Sequence, residues 1–177
     1  ILRHFEEISK ITDLPIMAYN IPGRTSTLIE LETLQTLVDD IGIHSIKDAV
    51  GDFEFSKKQL ELLKDKADIY SGNDNQTYDF VINGGVGVVS VASHVVGDEI
   101  SEMISFAKDN DFEKAEEINM KLSNLFEAIF EEPSPGPIKK ILSETWEEVG
   151  EPLLPITSIT PELANKIRGF YKKIKEN

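Results

Sequence analysis

A lysine closes the short apolar run at residues 43–47, and Asp48-Ala49-Val50-Gly51 follows it directly. An ammonium at the end of an apolar strand loses hydration of its charged form, which lowers its pKa and leaves an amine able to attack carbon. Such an amine condenses with a keto acid to an imine, an electron sink for carbanion chemistry. Position alone is met more readily by a lysine that snorkels from a strand end with its ammonium in water. Two further groups stand after a similar run at residues 14–19. Tyr19 offers a phenol suited to proton transfer in a buried network, or is a core aromatic with its hydroxyl satisfied. Arg24 offers a guanidinium fork for a carboxylate, or an ordinary surface ion pair. Taken singly, each residue leaves its two readings open.

Other chemistries are poorly served. His4, His44 and His94 are dispersed with no metal-ligand spacing, so no metal is expected. The chain has no cysteine, which removes disulfides, thiolate metal sites and a cysteine nucleophile together and fits a reducing cytoplasm. Gly84-Gly85-Val86-Gly87 has no following lysine and precedes a strand pattern, so it reads as close backbone packing at a strand entrance and not as a phosphate loop. Thirty-two acidic residues against eighteen basic ones give a net charge of -14, which opposes nucleic acid as a partner. The most apolar stretch, residues 84–97, is too short for a membrane span and is interrupted by Ser90, Ser93 and His94.

The elements that must position these groups are legible from periodicity. Four β-branched runs, at residues 14–19, 43–47, 67–70 and 87–91, are each followed by a turn signal and a helical pattern. Apolar stripes through Leu31, Leu34, Leu37 and Val38, through Phe53, Phe55, Leu60, Leu62 and Leu63, and through Tyr78, Phe80, Val81 and Ile82 supply the helices between them. Strand-then-helix repetition predicts parallel β/α units, because parallel strands need a crossover connection. Beyond Gly97 only helices are predicted, at residues 100–110, 112–131, 138–149 and 161–175, the last with Thr160 as cap and Pro161 at its first position. The expected division is a β/α array over residues 1–97 and a helical region over 98–177. Four such units make half of an eight-stranded barrel, a fold of about 250 residues whose active site lies at the C-terminal strand ends, or else an open four-stranded array.

Five ordered segments carry a resemblance: Tyr19-Asn20-Ile21-Pro22-Gly23-Arg24-Thr25, Ile46-Lys47-Asp48-Ala49-Val50-Gly51, Ser71-Gly72-Asn73-Asp74, Gly87-Val88-Val89-Ser90-Val91 and Pro135-Gly136-Pro137-Ile138-Lys139. Together the chain resembles the dihydrodipicolinate synthase family of pyruvate-dependent aldolases. The resemblance implies an α/β fold, the C-terminal half of a TIM (β/α)8 barrel followed by a C-terminal helical domain. It implies that Lys47 is the Schiff-base lysine for pyruvate and Tyr19 the proton donor and acceptor. Arg24 would bind the carboxylate of aspartate semialdehyde, Val89 would help to hold pyruvate through its backbone, and the Gly72 backbone would line the same pocket. It further implies no metal or organic cofactor, a cytoplasmic enzyme of lysine biosynthesis, and a homo-oligomer, commonly a tetramer.

The N-acetylneuraminate lyases resemble the chain in the tyrosine and lysine but usually lack an arginine at the Arg24 position, so Arg24 favours the synthase. Another keto-acid aldolase of the superfamily remains an alternative. In the family, a threonine pair that binds pyruvate and a tyrosine lent by an adjacent subunit lie in an N-terminal set of β/α units. These 177 residues do not contain that set, so they alone are expected not to turn over substrate. A noncatalytic assembly module is the reading from a different class.

Overall fold

A computed structural model describes residues 1–176. The chain divides into two compact units, residues 1–89 and the remainder from Ser90 onward.

The first unit opens with helix α1 (Leu2–Ser9) and continues as β1 (Met17–Asn20), a single helical turn α2 (Pro22–Thr25), α3 (Leu31–Asp39), β2 (Ser45–Asp48), α4 (Phe53–Leu62), β3 (Asp68–Ser71), a 3-10 turn (Asp74–Gln76), α5 (Thr77–Ile82) and β4 (Gly87–Val88). The strands form one sheet in sequential order, every pair parallel. Met17, Ala18, Tyr19 and Asn20 stand opposite Ser45, Ile46, Lys47 and Asp48, which in turn stand opposite Asp68, Ile69, Tyr70 and Ser71. A strand alternates its side chains between two faces. Ala18, Ile46 and Ile69 therefore share one face and are buried with Leu34 and Leu37 of α3, Leu60 of α4, Leu63 and Phe80 of α5. Each Leu, Ile or Phe side chain so removed from water contributes about 1.5–3 kcal/mol before chain entropy is counted. The opposite face carries Met17 and Tyr19, which are 41% and 43% exposed.

Strand limits differ from the periodicity. Residues 14–16 lie outside β1 and Leu14 is exposed, because Pro15 lacks the amide that a ladder requires. β4 holds two residues and, among the described residues, pairs only with β3, although the Val89 amide still donates to Ser71 O at 2.9 Å. At Gly85, an added Cβ would lie 2.9 Å from Phe80 O, whose carbonyl also accepts the Gly85 amide at 2.8 Å. The glycine run is thus a close-packed strand entrance, as its sequence context predicts.

The second unit contains α6 (Ser93–Lys108), α7 (Phe112–Ala128), α8 (Gly136–Thr145) and α9 (Pro161–Lys175). α6 packs on α7, and α9 on both α7 and α8. Met103, Leu122, Leu125, Phe126, Ile141 and Ile167 are buried in it. α6 starts seven residues earlier than periodicity predicts, with a kink at Val96 (φ -131°, ψ 36°) one residue before Gly97, so the glycine does not end the helix. α8 stops at Thr145, since Trp146 leaves helical geometry at φ -130°, ψ -88°. α9 matches its predicted limits, and Thr160 Oγ1 accepts the Leu163 amide at 3.4 Å as the expected cap. None of the described helices is long and apolar enough to cross a membrane.

Candidate active site

The C-terminal ends of β1, β2 and β3 bring the first candidate residues together. Tyr19 and Lys47 are register partners in adjacent strands, on the face opposite the apolar core. Lys47 Nζ lies 4.2 Å from the centroid of the Tyr19 ring. A cation over an aromatic face is attracted by the ring quadrupole, and the contact holds the long lysine side chain toward the tyrosine. Lys47 is half-buried, so its amine remains reachable on the open face.

Tyr70 is the register partner of Lys47 on the other side and shares its face. Tyr19, Lys47 and Tyr70 thus form a row across three strands. Sequence reasoning left Tyr70 unassigned, although the two-residue period that buries Ile69 and Ser71 places Tyr70 on the lysine's face.

On the core face, the end of β2 beside the lysine is polar and buried. Asp48 is 1% exposed; its Oδ1 accepts the Val50 amide at 2.8 Å and its Oδ2 accepts the Ser56 hydroxyl at 2.9 Å. Burial pushes the Asp48 carboxyl above the ordinary carboxylate range, and the two hydrogen bonds oppose that shift in part. These contacts fold the segment after β2 back onto α4, which Asp52 caps by accepting the Glu54 and Phe55 amides.

Asn20 plays the same part after β1. Its Nδ2 donates to Ile29 O at 3.0 Å while its Oδ1 accepts the Ile29 amide at 3.0 Å, closing the segment 21–29. Arg24 sits in that segment, on α2, where it is exposed and makes no ion pair among the described residues. Its guanidinium is therefore available at the strand-end side without being part of the Tyr19, Lys47 and Tyr70 row.

Gly72 follows β3 and donates its amide to Asp48 O at 2.5 Å. A Cβ there would lie 2.7 Å from Ala49 Cβ, 2.9 Å from Asp48 O and 3.1 Å from Lys47 Cε. The lysine side chain thus borders the space that a side chain at position 72 would fill. Val89 joins the same strand-end rim through its amide bond to Ser71 O and is 38% exposed. His94 is exposed in the first turn of α6.

The family model of the dihydrodipicolinate synthetases matches residues 1–174. The chain belongs to that family. Among curated members, the 4-hydroxy-tetrahydrodipicolinate synthase of Microcystis aeruginosa is 43% identical over 172 residues, covering 97% of this chain and 58% of the relative. That of Listeria monocytogenes serotype 4b is 35% identical over 173 residues, covering 98% of this chain and 59% of the relative. A crystal structure of a dihydrodipicolinate synthase from Bacillus anthracis aligns with a TM-score of 0.90 at 35% identity, over 97% of this chain and 59% of that one. The chain thus spans about three fifths of the length of the dihydrodipicolinate synthetase family members it matches. The four-stranded parallel α/β sheet corresponds to part of their barrel.

Proposed function

We propose that the chain is the lysine-bearing, C-terminal half of the TIM barrel of a pyruvate-dependent lyase, with its helical region following. The reaction would join pyruvate to L-aspartate 4-semialdehyde, giving 4-hydroxy-tetrahydrodipicolinate for lysine (diaminopimelate) biosynthesis. The observation that carries this reading is the Lys47 amine 4.2 Å from the Tyr19 ring on the open face of the sheet. Membership of the family supports the substrate pair.

In this reading the Lys47 amine adds to the keto carbon of pyruvate and water leaves, forming an imine. Loss of a methyl proton, relayed by the Tyr19 phenol, gives an enamine. Its terminal carbon bonds to the aldehyde carbon of the semialdehyde, and the aldehyde oxygen takes up a proton. Attack of the semialdehyde's own amine on the imine carbon closes the ring and displaces Lys47. Arg24 pairs with the semialdehyde carboxylate through its planar fork. The backbone of Val89 and of Gly72 lines the pyruvate end of the pocket. No metal or organic cofactor enters these steps. The working enzyme is expected to be a cytoplasmic homo-oligomer, a tetramer by family pattern.

The test is reduction with borohydride in the presence of pyruvate, followed by peptide mass spectrometry. An adduct on Lys47 that is lost in Lys47→Ala and kept in Arg24→Ala, with binding of the semialdehyde weakened in Arg24→Ala, supports both roles. Equal loss in the two variants refutes the division of roles. Absence of an adduct at saturating pyruvate from the chain joined to the family's N-terminal β/α set favours a noncatalytic module, whereas absence from these 177 residues alone follows from their lacking the pyruvate-binding threonine pair.

A further inference from the structure

We propose that Gly72 is a positioning residue for Lys47, keeping open the space through which the lysine side chain reaches the tyrosine row. The inference rests on the aldolase reading for its catalytic meaning but stands on separate geometry. Of the three atoms an added Cβ would meet, the Lys47 Cε at 3.1 Å belongs to a flexible chain and can swing aside. The other two cannot do so cheaply. Ala49 Cβ at 2.7 Å and Asp48 O at 2.9 Å are fixed to the backbone at the end of β2.

That backbone is held from both sides. The Ala49 amide donates to Asn20 O at 2.9 Å, and Asp48 O accepts the Gly72 amide at 2.5 Å. The Asp48 side chain is tied in turn to Val50 N and to Ser56 Oγ. A methyl group at position 72 is therefore relieved by pushing the lysine chain away and by bending the strand end that carries it. Both displacements act on the nucleophile, and misplacement of a reacting group by about 1 Å costs on the order of a hundredfold in rate. Neither displacement requires loss of the fold, since the core face of the sheet, Ala18, Ile46 and Ile69, lies on the other side.

The experiment compares the unaltered chain, Gly72→Ala, Ala49→Gly and the double variant. Competitive reductive methylation with formaldehyde, read residue by residue by mass spectrometry, reports the reactivity of Lys47 relative to Lys57 and Lys66. Those two lysines are paired with Glu54 and Asp39, away from position 72, and serve as internal standards. Gly72→Ala is expected to change the Lys47 ratio by about threefold or more with the standards unmoved. It is also expected to slow pyruvate trapping by about tenfold or more. Ala49→Gly in the Gly72→Ala background removes the 2.7 Å contact and is expected to return part of both effects.

An unchanged Lys47 ratio in folded Gly72→Ala overturns the proposal, as does a general change at all lysines. If Gly72→Ala loses the circular dichroism spectrum of the unaltered chain, the decision passes to that chain itself. A nuclear Overhauser effect between the Gly72 Hα and Lys47 Hε protons then supports the contact, and its absence refutes it. Methylation needs no pyruvate, so the Gly72 effect is read independently of trapping and stands or falls apart from the aldolase reading.

Discussion

Lys47 and Tyr19 stand opposite each other in adjacent parallel strands, and the lysine Nζ lies 4.2 Å from the centre of the tyrosine ring. The ring face holds the amine, while the phenol oxygen is the group with a proton to exchange. Those two contributions separate in Tyr19→Phe, which keeps the ring and removes the hydroxyl. Trapping of pyruvate on Lys47 is expected to persist, whereas deuterium exchange into the pyruvate methyl group, followed by NMR, slows by about 10²–10⁴-fold. Exchange at the unaltered rate would remove Tyr19 from proton transfer.

Asn20 gives a second prediction, on stability. Its amide makes two buried hydrogen bonds to the Ile29 backbone, and truncation leaves both Ile29 groups unpaired. Asn20→Ala is expected to lower the unfolding free energy by about 1–3 kcal/mol in urea titrations. The Ile29 amide should exchange faster with solvent in the variant. Unchanged exchange would show that the Arg24 segment is held by other contacts.

The buried Asp48 carboxyl makes stability depend on pH with a definite sign. Its pKa is raised, chiefly by burial, so the folded state holds this proton more tightly than the unfolded chain does. The contribution is fully present below the ordinary aspartate pKa and is lost as pH rises through the raised folded value. Asp48→Asn removes that titration and keeps partners for Val50 N and Ser56 Oγ. Its stability relative to the unaltered chain should therefore be more favourable at about pH 7 than at about pH 3. Parallel pH profiles of the two proteins in urea unfolding would contradict this assignment.

Gln59 on α4 is fully buried, and both its side-chain nitrogen and oxygen lack hydrogen-bond partners among the described residues. An unsatisfied buried polar group costs about 1–3 kcal/mol, and an apolar replacement of similar shape removes that cost. Gln59→Met is expected to raise the urea midpoint without changing the slope. A lowered midpoint would mean that the amide is satisfied in solution.

Much of the scaffold could be read without coordinates. The alternation of β-branched runs with helical stripes anticipated four parallel strands, because local spacing alone imposes that connectivity. The α9 limits were equally legible, since Thr160 and Pro161 are a local cap signal. Element ends were less so. β1 is shortened by Pro15, α6 runs past Gly97 and α8 stops short at Trp146, outcomes that packing decides more than propensity.

The sequence by itself determined which groups stand at the strand ends: Tyr19, Arg24, Lys47, Gly72 and Val89 lie in ordered motifs whose places follow from counting along the chain. Tertiary structure alone decided how they meet. The register that faces Lys47 with Tyr19 and Tyr70, the Asn20 clamp on Ile29, the bond from Ser56 to Asp48 and the close approach of Gly72 to the lysine all join residues from different segments. Periodicity reports which face a side chain occupies, but contact across strands depends on register and loop closure, which no local pattern encodes.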